Sequence, residues 1–162
     1  MRRTTKMQQQ GFTLIELVIV IAIIGLLAIT VLPRFVNLAG DARGARINGA
    51  LGSAKSAAVI AHGAWLARGL ANTAVSIAAE GGVVTLINGY PTANAAGILA
   101  AAQIVTTGPT PDFTATAGGA AAGSTITVTG IGAVTPATCY FSYTNPNTAG
   151  NPPTYLVDTA GC

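Results

Sequence analysis

One carboxylate lies inside the longest apolar run of this chain. Residues 11–33 read GFTLIELVIVIAIIGLLAITVLP, and Glu16 is the acid. A charged side chain within hydrocarbon costs roughly 2.5–3.5 kcal/mol on insertion scales, so an unpaired acid would destabilise the helix in a membrane. Cleavage after Gly11 would create an ammonium on Phe12, and Glu16 could then neutralise the terminus of a neighbouring helix. The run therefore predicts a helix that associates with its own copies.

These residues resemble the type IV prepilin signature, Gly-Phe-Thr-Leu-(Ile/Val)-Glu followed by an apolar helix. The resemblance implies that a prepilin peptidase removes residues 1–11 as a leader, cleaving after Gly11 and methylating the amine of Phe12. An ordinary secretory signal places its cleavage site after the apolar core, and here the site precedes the core. A simple uncleaved anchor is the alternative.

Residues 12–33 would span about 33 Å as a helix, enough for a bilayer. Basic residues lie on both sides of this segment, so charge does not fix its orientation. Gly25 and Pro33 interrupt the run. The resemblance implies that the stretch between them loses helicity when a subunit leaves the membrane for a filament. An ordinary proline kink is the alternative.

An amphipathic continuation of the helix is predicted over 34–69. Apolar residues recur in steps of three and four, which places them along one helical face; they are Phe35, Leu38, Ala42, Ala45, Ile47, Leu51, Ala54, Ala58, Ala61 and Trp65. Gly40, Gly44, Gly49 and Gly52 permit close approach of another backbone. The helix should run from Phe12 to about Arg68. Its lower half has no core to enter within one subunit, so lipid and then other copies should cover it.

The remainder, residues 70–162, is expected to form a globular β-sheet head. The pattern predicts strands at 83–87, 124–129, 138–144 and 154–158, a short helix within 94–105, and a loop over the Gly-, Ala-, Thr- and Pro-rich residues 106–123. One antiparallel sheet packed on the upper half of the long helix gives an α+β fold. The resemblance implies the type IV pilin fold, closed by a C-terminal disulfide loop.

Three further segments resemble the mannose-sensitive haemagglutinin type pilins. They read ARINGALGSAKSAA, INGYPTANAAGI and CYFSYT…VDTAGC, in that order. The last segment contains both cysteines, Cys139 and Cys162. In an exported chain one disulfide between them is the favoured reading. Two free thiols in a reducing compartment are the alternative, and a cysteine metal pair is disfavoured because the sole histidine, His62, lies far away in sequence.

The composition points away from enzymes and cofactors. No histidine or lysine lies in the C-terminal half to act as the base of a nucleophilic site. Asp112 and Asp158 are read as solvated acids. His62, beside Trp65 near the helix end, is read as a polar or half-buried structural residue. We expect no catalytic residue, no bound metal and no cofactor.

Charge argues against nucleic acid as a partner. Three of the eight basic residues lie in the leader, which leaves five against five acids, and none follows Arg68. Phosphate contacts need positive charge, so a DNA-binding pilin is disfavoured. Conduction along stacked aromatic rings is disfavoured as well, because the aromatic residues are few and dispersed.

The resemblance implies the major structural subunit of a type IV pilus of the haemagglutinin type, serving adhesion and surface motility. Its partners would be other copies in a helical filament, the prepilin peptidase, the inner-membrane assembly machinery and, before assembly, membrane lipid. It would start as a single-pass inner-membrane precursor and end in an extracellular pilus. The alternative is a major pseudopilin, which forms the periplasmic piston of a type II secretion system.

Overall fold

One long helix and seven strands make up the described part of the chain. The computed structural model describes residues 12–71, 75–79 and 82–162, so Gly11 and the rest of the leader lie outside it. The helices are α1 (Leu14–Ala67) and the single turn α2 (Ala100–Ala102), which continues a π-helical turn, Ala95–Leu99. The strands are β1 (Ser76–Ala79), β2 (Gly82–Ile87), β3 (Tyr90–Pro91), β4 (Phe113–Ala117), β5 (Thr125–Gly130), β6 (Tyr140–Thr144) and β7 (Thr154–Asp158), with a 3₁₀ turn at Pro136–Thr138.

The bounds of α1 agree with the sequence prediction to within two residues. Gly69 ends the helix with a left-handed conformation, φ +60°. The amide of Leu70 donates to the Trp65 carbonyl and that of Gly69 to the Leu66 carbonyl. This Schellman pattern satisfies carbonyls that a helix end would otherwise leave free.

The chain divides into two compact units, Met1–Leu38 and Ala39–Cys162. The second unit, called the head below, holds the hydrophobic core. One helical face enters that core through Ile47, Leu51, Ala54 and Ala58, all buried. Small alanines bring the backbone of α1 close to the strands, so bulky residues fill the space from the sheet side. The predicted packing of the upper helix on an antiparallel sheet is confirmed.

Within the head, only the second run of the predicted apolar stripe is buried. Leu38, Ala42 and Ala45 are exposed, and burial within the head begins at Gly44 and Ile47. The side chain of Phe35 is not among those described. The first run of apolar residues therefore does not serve the core of its own head, although its helical spacing matched that of the second run.

The head contains two antiparallel sheets where one was predicted. The smaller has the order β1-β2-β3, and the larger has the order β4-β5-β6-β7. The predicted strands at 83–87, 124–129, 138–144 and 154–158 correspond to β2, β5, β6 and β7, and the short helix within 94–105 to residues 95–102. The sequence pattern missed β1, β3 and β4.

Treating all of 106–123 as a loop was wrong, because β4 occupies its centre. Thr114 pairs with Thr129 and Thr116 with Thr127, which makes β4 an edge strand of the larger sheet. The inward positions described for this strand are Phe113 and Ala115. Alanine contributes little to a hydrophobic alternation, so the composition resembled a loop while pairing with β5 determined a strand.

The larger sheet has an apolar inner face and a hydroxyl-rich outer face. Phe141 and Tyr143 of β6 are fully buried with Ile126 and Val128 of β5. The Tyr143 hydroxyl donates to the Pro91 carbonyl at 2.6 Å, which ties the two sheets together. Burial raises the pKa of Tyr143 above its ordinary value and raises that of Tyr155 to about 12. Both hydroxyls thus stay neutral at physiological pH.

Cys139 and Cys162 form a disulfide, which confirms the favoured sequence interpretation. Both residues are buried, and β6 and β7 lie between them in sequence. The Cys162 carbonyl accepts a hydrogen bond from Arg43 Nη1 at 2.9 Å. A Cβ at Gly40 would lie 3.5 Å from the Cys162 carbonyl carbon, and one at Gly44 would lie 3.5 Å from Thr159 Cβ. The last residues therefore lie directly against α1.

Truncating a core residue of β6 should cost far more than truncating an exposed residue of β7. We expect Phe141→Ala to lower the free energy of unfolding by about 3–5 kcal/mol, because it opens a cavity at a fully buried position. Leu156→Ala, which changes an exposed side chain on the neighbouring strand, should cost less than about 1 kcal/mol. Urea unfolding in detergent, followed by Trp65 fluorescence, measures both. Equal losses would contradict this core.

Candidate assembly segment

A capping box begins α1. The Glu16 carboxylate accepts hydrogen bonds from the backbone amide and the hydroxyl of Thr13, each at 2.8 Å, and the Thr13 hydroxyl accepts from the Glu16 amide at 3.3 Å. Such reciprocal bonds satisfy amides that a helix start leaves free. The acid also lies where the helix dipole favours negative charge.

The capping role of Glu16 was not among the predictions made from the sequence. The Thr-x-x-Glu spacing just before an apolar run is a known helix-start pattern and could have revealed it. Both hydrogen bonds that the described chain gives this carboxylate go to Oε2. Capping therefore occupies one carboxylate oxygen and leaves Oε1 available to another group.

The apolar surface of α1 is exposed on all sides from its start. The window Leu14–Val31 has a mean hydropathy of 3.0, and none of it is buried within the described chain. The side chain of Phe12, just before the helix, is 88% exposed. By length and composition this is the one described helix that could cross a membrane.

Gly25 and Pro33 both lie within the continuous helix. A Cβ at Gly25 would meet nothing within 4 Å, and the side chain of Pro33 is outside the described part. The predicted loss of helicity between them concerns the assembled filament and stays a prediction. The hydroxyl of Thr30, which lies between the two residues, donates to the Leu27 carbonyl at 2.8 Å, so this polar group needs no water.

The outward face of α1 within the head carries small and apolar side chains. Val59 and Ile60 are about 70% exposed, and Leu66 is 58% exposed. A Cβ added at Gly49, Gly52 or Gly63 would meet nothing within 4 Å. Glycine weakens a helix by about 1 kcal/mol relative to alanine, and packing within the described chain does not require it here.

His62 stacks between two aromatic rings. Its ring centroid lies 4.1 Å from that of Tyr90 and 5.4 Å from that of Trp65. Its Nδ1 lies 3.0 Å from the Gly89 carbonyl oxygen, which holds the turn between β2 and β3 against α1. This geometry confirms the half-buried structural histidine expected from sequence.

Asp112 and Asp158, the two acids considered in the sequence analysis, have separate local roles: Asp112 forms an ion pair and Asp158 stabilises a turn. Asp112 Oδ1 pairs with Arg46 Nη2 at 2.7 Å on the surface, where such pairs contribute little. Asp158 accepts from the Ala160 amide at 3.0 Å. Among the described residues no group of three His, Cys, Asp or Glu side chains could hold a metal ion.

The sequence matches a known family motif over its N-terminal part. The prokaryotic N-terminal methylation motif covers residues 6–32, which include the capping box and the apolar window. The matched motif thus covers the residues that form the capping box and the exposed apolar helix.

Relatives of this chain include pilus proteins of several bacteria. The type IV narrow pilus major component PilA5 of Thermus thermophilus is 47% identical over 55 residues, which cover 34% of this chain and 47% of that protein. The fimbrial protein EcpB of Eikenella corrodens is 50% identical over 58 residues, 35% of this chain and 36% of that protein. The type IV major alpha-pilin of Moraxella bovis is 49% identical over 49 residues, 30% and 31% of the two chains.

The matches thus span less than half the length of these relatives. No solved structure matches the chain. The similarity to type IV pilins is shown, whereas the resemblance to the mannose-sensitive haemagglutinin branch stays a prediction.

Removing the Thr13 hydroxyl should loosen the first turn of α1. We expect Thr13→Val to cost about 1 kcal/mol of local stability and to speed amide hydrogen exchange at Glu16 roughly fivefold, because the Glu16 amide loses its partner. Nuclear magnetic resonance of the protein in detergent micelles measures this rate. Thr30→Val, which removes a hydroxyl bonded only to a carbonyl, should leave that rate unchanged. An unchanged rate in Thr13→Val would contradict the cap.

Proposed function

We propose that this chain, a type IV pilin by its N-terminal methylation motif and its pilin relatives, is the major structural subunit of a surface filament. The haemagglutinin-like subtype and roles in adhesion and motility belong to the same proposal. The observation that carries it is an exposed apolar helix whose start fits the processing motif. Burying a Leu or Ile side chain gives about 1.5–3 kcal/mol, so association of such helices is strongly favoured once lipid is left behind.

Processing would precede assembly. A prepilin peptidase would cleave after Gly11 and methylate the new amine of Phe12, and the subunit would wait in the inner membrane with α1 in lipid. An ATP-driven assembly machine would then move it into the growing helical filament. Cleavage at this site leaves the apolar helix in the mature subunit, where it can serve first as anchor and then as filament core.

Glu16 would have two tasks in this scheme. Its Oε2 caps its own helix through Thr13, and its Oε1 would accept from the Phe12 amine of a neighbouring copy. In hydrocarbon-like surroundings such a pair offsets the cost of burying either charge alone. The pairing would thereby select one axial register between adjacent helices.

The outward face of α1 supports close packing of copies. Gly49, Gly52 and Gly63 leave gaps that packing within the described chain does not use. A neighbouring helix could approach closely along this face of the head. Local unwinding between Gly25 and Pro33 would adjust the helix path when lipid is replaced by protein.

Shearing cells and measuring the intact mass of the released protein by mass spectrometry tests whether the chain is a subunit of a surface filament. We expect an intact mass equal to residues 12–162 with one added methyl group and two hydrogens removed by the disulfide. Processed protein found only in membranes would contradict a surface pilus and favour the secretion pseudopilin. Unprocessed protein would contradict cleavage after Gly11.

A pair of substitutions at Glu16 separates capping from charge pairing. Glu16→Gln retains an oxygen that can accept from Thr13 but carries no charge, whereas Glu16→Ala removes both functions. If charge pairing drives assembly, both variants should be processed, stay in the membrane and give at least tenfold fewer sheared filaments. Quantitative immunoblots of the two fractions measure this. Normal filament yield from Glu16→Gln would show that the charge is dispensable.

A further inference from the structure

Two charged sites flank the outward face of α1 in the head. Arg46 and Lys55 are nine residues apart, which is two and a half helical turns, so their side chains leave the helix on opposite sides. The buried residues Ile47 and Ala54 lie between these two directions on the core side. On the other side lies Gly52, where an added Cβ would meet nothing within 4 Å. A neighbour that covers the outward face would therefore meet one site on each flank.

The first site is the Asp112 carboxylate, at the β4 edge of the larger sheet. Asp112 directly precedes β4, and its Oδ1 accepts from Arg46 Nη2 at 2.7 Å. Among the described residues no donor bonds its other oxygen, Oδ2. The side chain is 66% exposed. Because a carboxylate can accept hydrogen bonds at both oxygens, Oδ2 is open to a cation from another copy.

A shallow groove lies beside this carboxylate. It has a volume of about 310 Å³, and its lining includes Gly49 and Ser53 of α1 and Val105, Asp112 and Phe113 from the chain that leads into β4. We call it the β4-side groove. Val105 is 54% exposed. The groove therefore offers apolar side chains next to an acid.

The second site is the Lys55 ammonium, at the opposite edge of the same sheet. Its Nζ lies 5.5 Å from the centroid of the Tyr155 ring on β7, the edge strand farthest from β4. Lys55 is exposed, and no acid of the described residues pairs with it. Leu156 and Val157 of β7 are 59% and 40% exposed. This edge therefore presents a cation together with two apolar side chains.

We propose that the β7 edge of one copy docks against the β4-side groove of a neighbouring copy in the filament, with Lys55 bonded to Asp112 Oδ2. This contact rests on the proposed function, because it joins subunits of that filament. A second copy is the occupant because the two halves of the contact lie on opposite edges of one head and carry opposite charges. A contact between two different patches does not close on itself and generates an open assembly.

Lys55 would fix the register of the two heads more than it would add affinity. Exposed ion pairs contribute little to affinity, whereas opposite charges across an interface select its alignment. Arg46 holds Asp112 and lies nine residues before Lys55, so copies with parallel α1 helices would be offset by roughly 13 Å. The apolar side chains of β7 would supply the burial.

Carbodiimide crosslinking of unmodified sheared filaments tests the pair directly. The reagent joins an amine to a contacting carboxylate with loss of water, and Lys55 is the sole lysine of residues 12–162. We expect covalent oligomers on a denaturing gel, and mass spectrometry of their digest should identify a linkage between Lys55 and Asp112. Lys55→Arg keeps the charge but lacks the reactive amine. In that variant the filament yield should stay within twofold while this linkage disappears, and any linkage between Phe12 and Glu16 should persist.

Three crosslinking results would overturn the contact while leaving the filament assignment intact. In the first, filaments form but Lys55 is linked to no acid. In the second, Lys55 is linked to another acid, such as Asp158. In the third, the linkage to Asp112 is found only in the monomer band, and so within one subunit. Absence of the unmodified chain from sheared filaments would contradict the pilus assignment itself.

Charge reversal tests the same pair without a reagent. Lys55→Glu and Asp112→Lys should each lower filament yield about fivefold or more, because like charges would then meet at the contact. The chain carrying both changes should recover to within twofold of the unmodified chain. Asp158→Asn, which neutralises the acid of β7, should leave the yield within twofold. Quantitative immunoblots of sheared and membrane fractions measure this, and normal yields from both single variants or no recovery in the double variant would overturn the pair.

Discussion

The exposed apolar surface of α1 is the constraint on which the proposed membrane anchoring and assembly of this chain depend. From Leu14 to Val31 none of that surface is buried within the described chain. Water is an unfavourable solvent for it, so the segment needs lipid or other copies around it. The capping box lets the helix begin without unsatisfied amides, because Thr13 and Glu16 bond each other. With these amides satisfied, the start of α1 can be surrounded by lipid or by other copies of the chain.

The head uses the same helix in a different way. Between Ile47 and Ala61 one face of α1 is buried through small residues, so that the strands pack close to its backbone. The disulfide and the hydrogen bond from Arg43 to the Cys162 carbonyl hold the final residues on the helix. The opposite face keeps glycines and apolar side chains exposed. One helix thus contributes to the core of its own head and keeps an exposed face, which neighbouring copies would contact in the proposed filament.

The sequence was most informative where a pattern is strong and local. The apolar run, the stop at Gly69 and the strands rich in β-branched or aromatic residues, such as β2 and β5, were predicted closely. β4 was missed because its alternation is weak, with only Phe113 and Ala115 described as facing inward, and because it lies among Gly-, Ala-, Thr- and Pro-rich residues. The residue at which burial of α1 begins was not specified by the sequence, because a helical stripe does not reveal which copy of the chain covers it. Of the proposed assembly residues, Glu16 was located by its motif, and its Thr-x-x-Glu spacing could also have predicted the capping bonds with Thr13.

We expect other copies of this chain to cover the apolar window of α1 in the filament. A helical reconstruction of sheared filaments by electron cryomicroscopy tests this most directly. We predict that residues 12–31 form the filament core, with Glu16 Oε1 within hydrogen-bond distance of the Phe12 amine of an adjacent copy. A filament whose subunits meet only through their heads, with the apolar window outside the core, would contradict it.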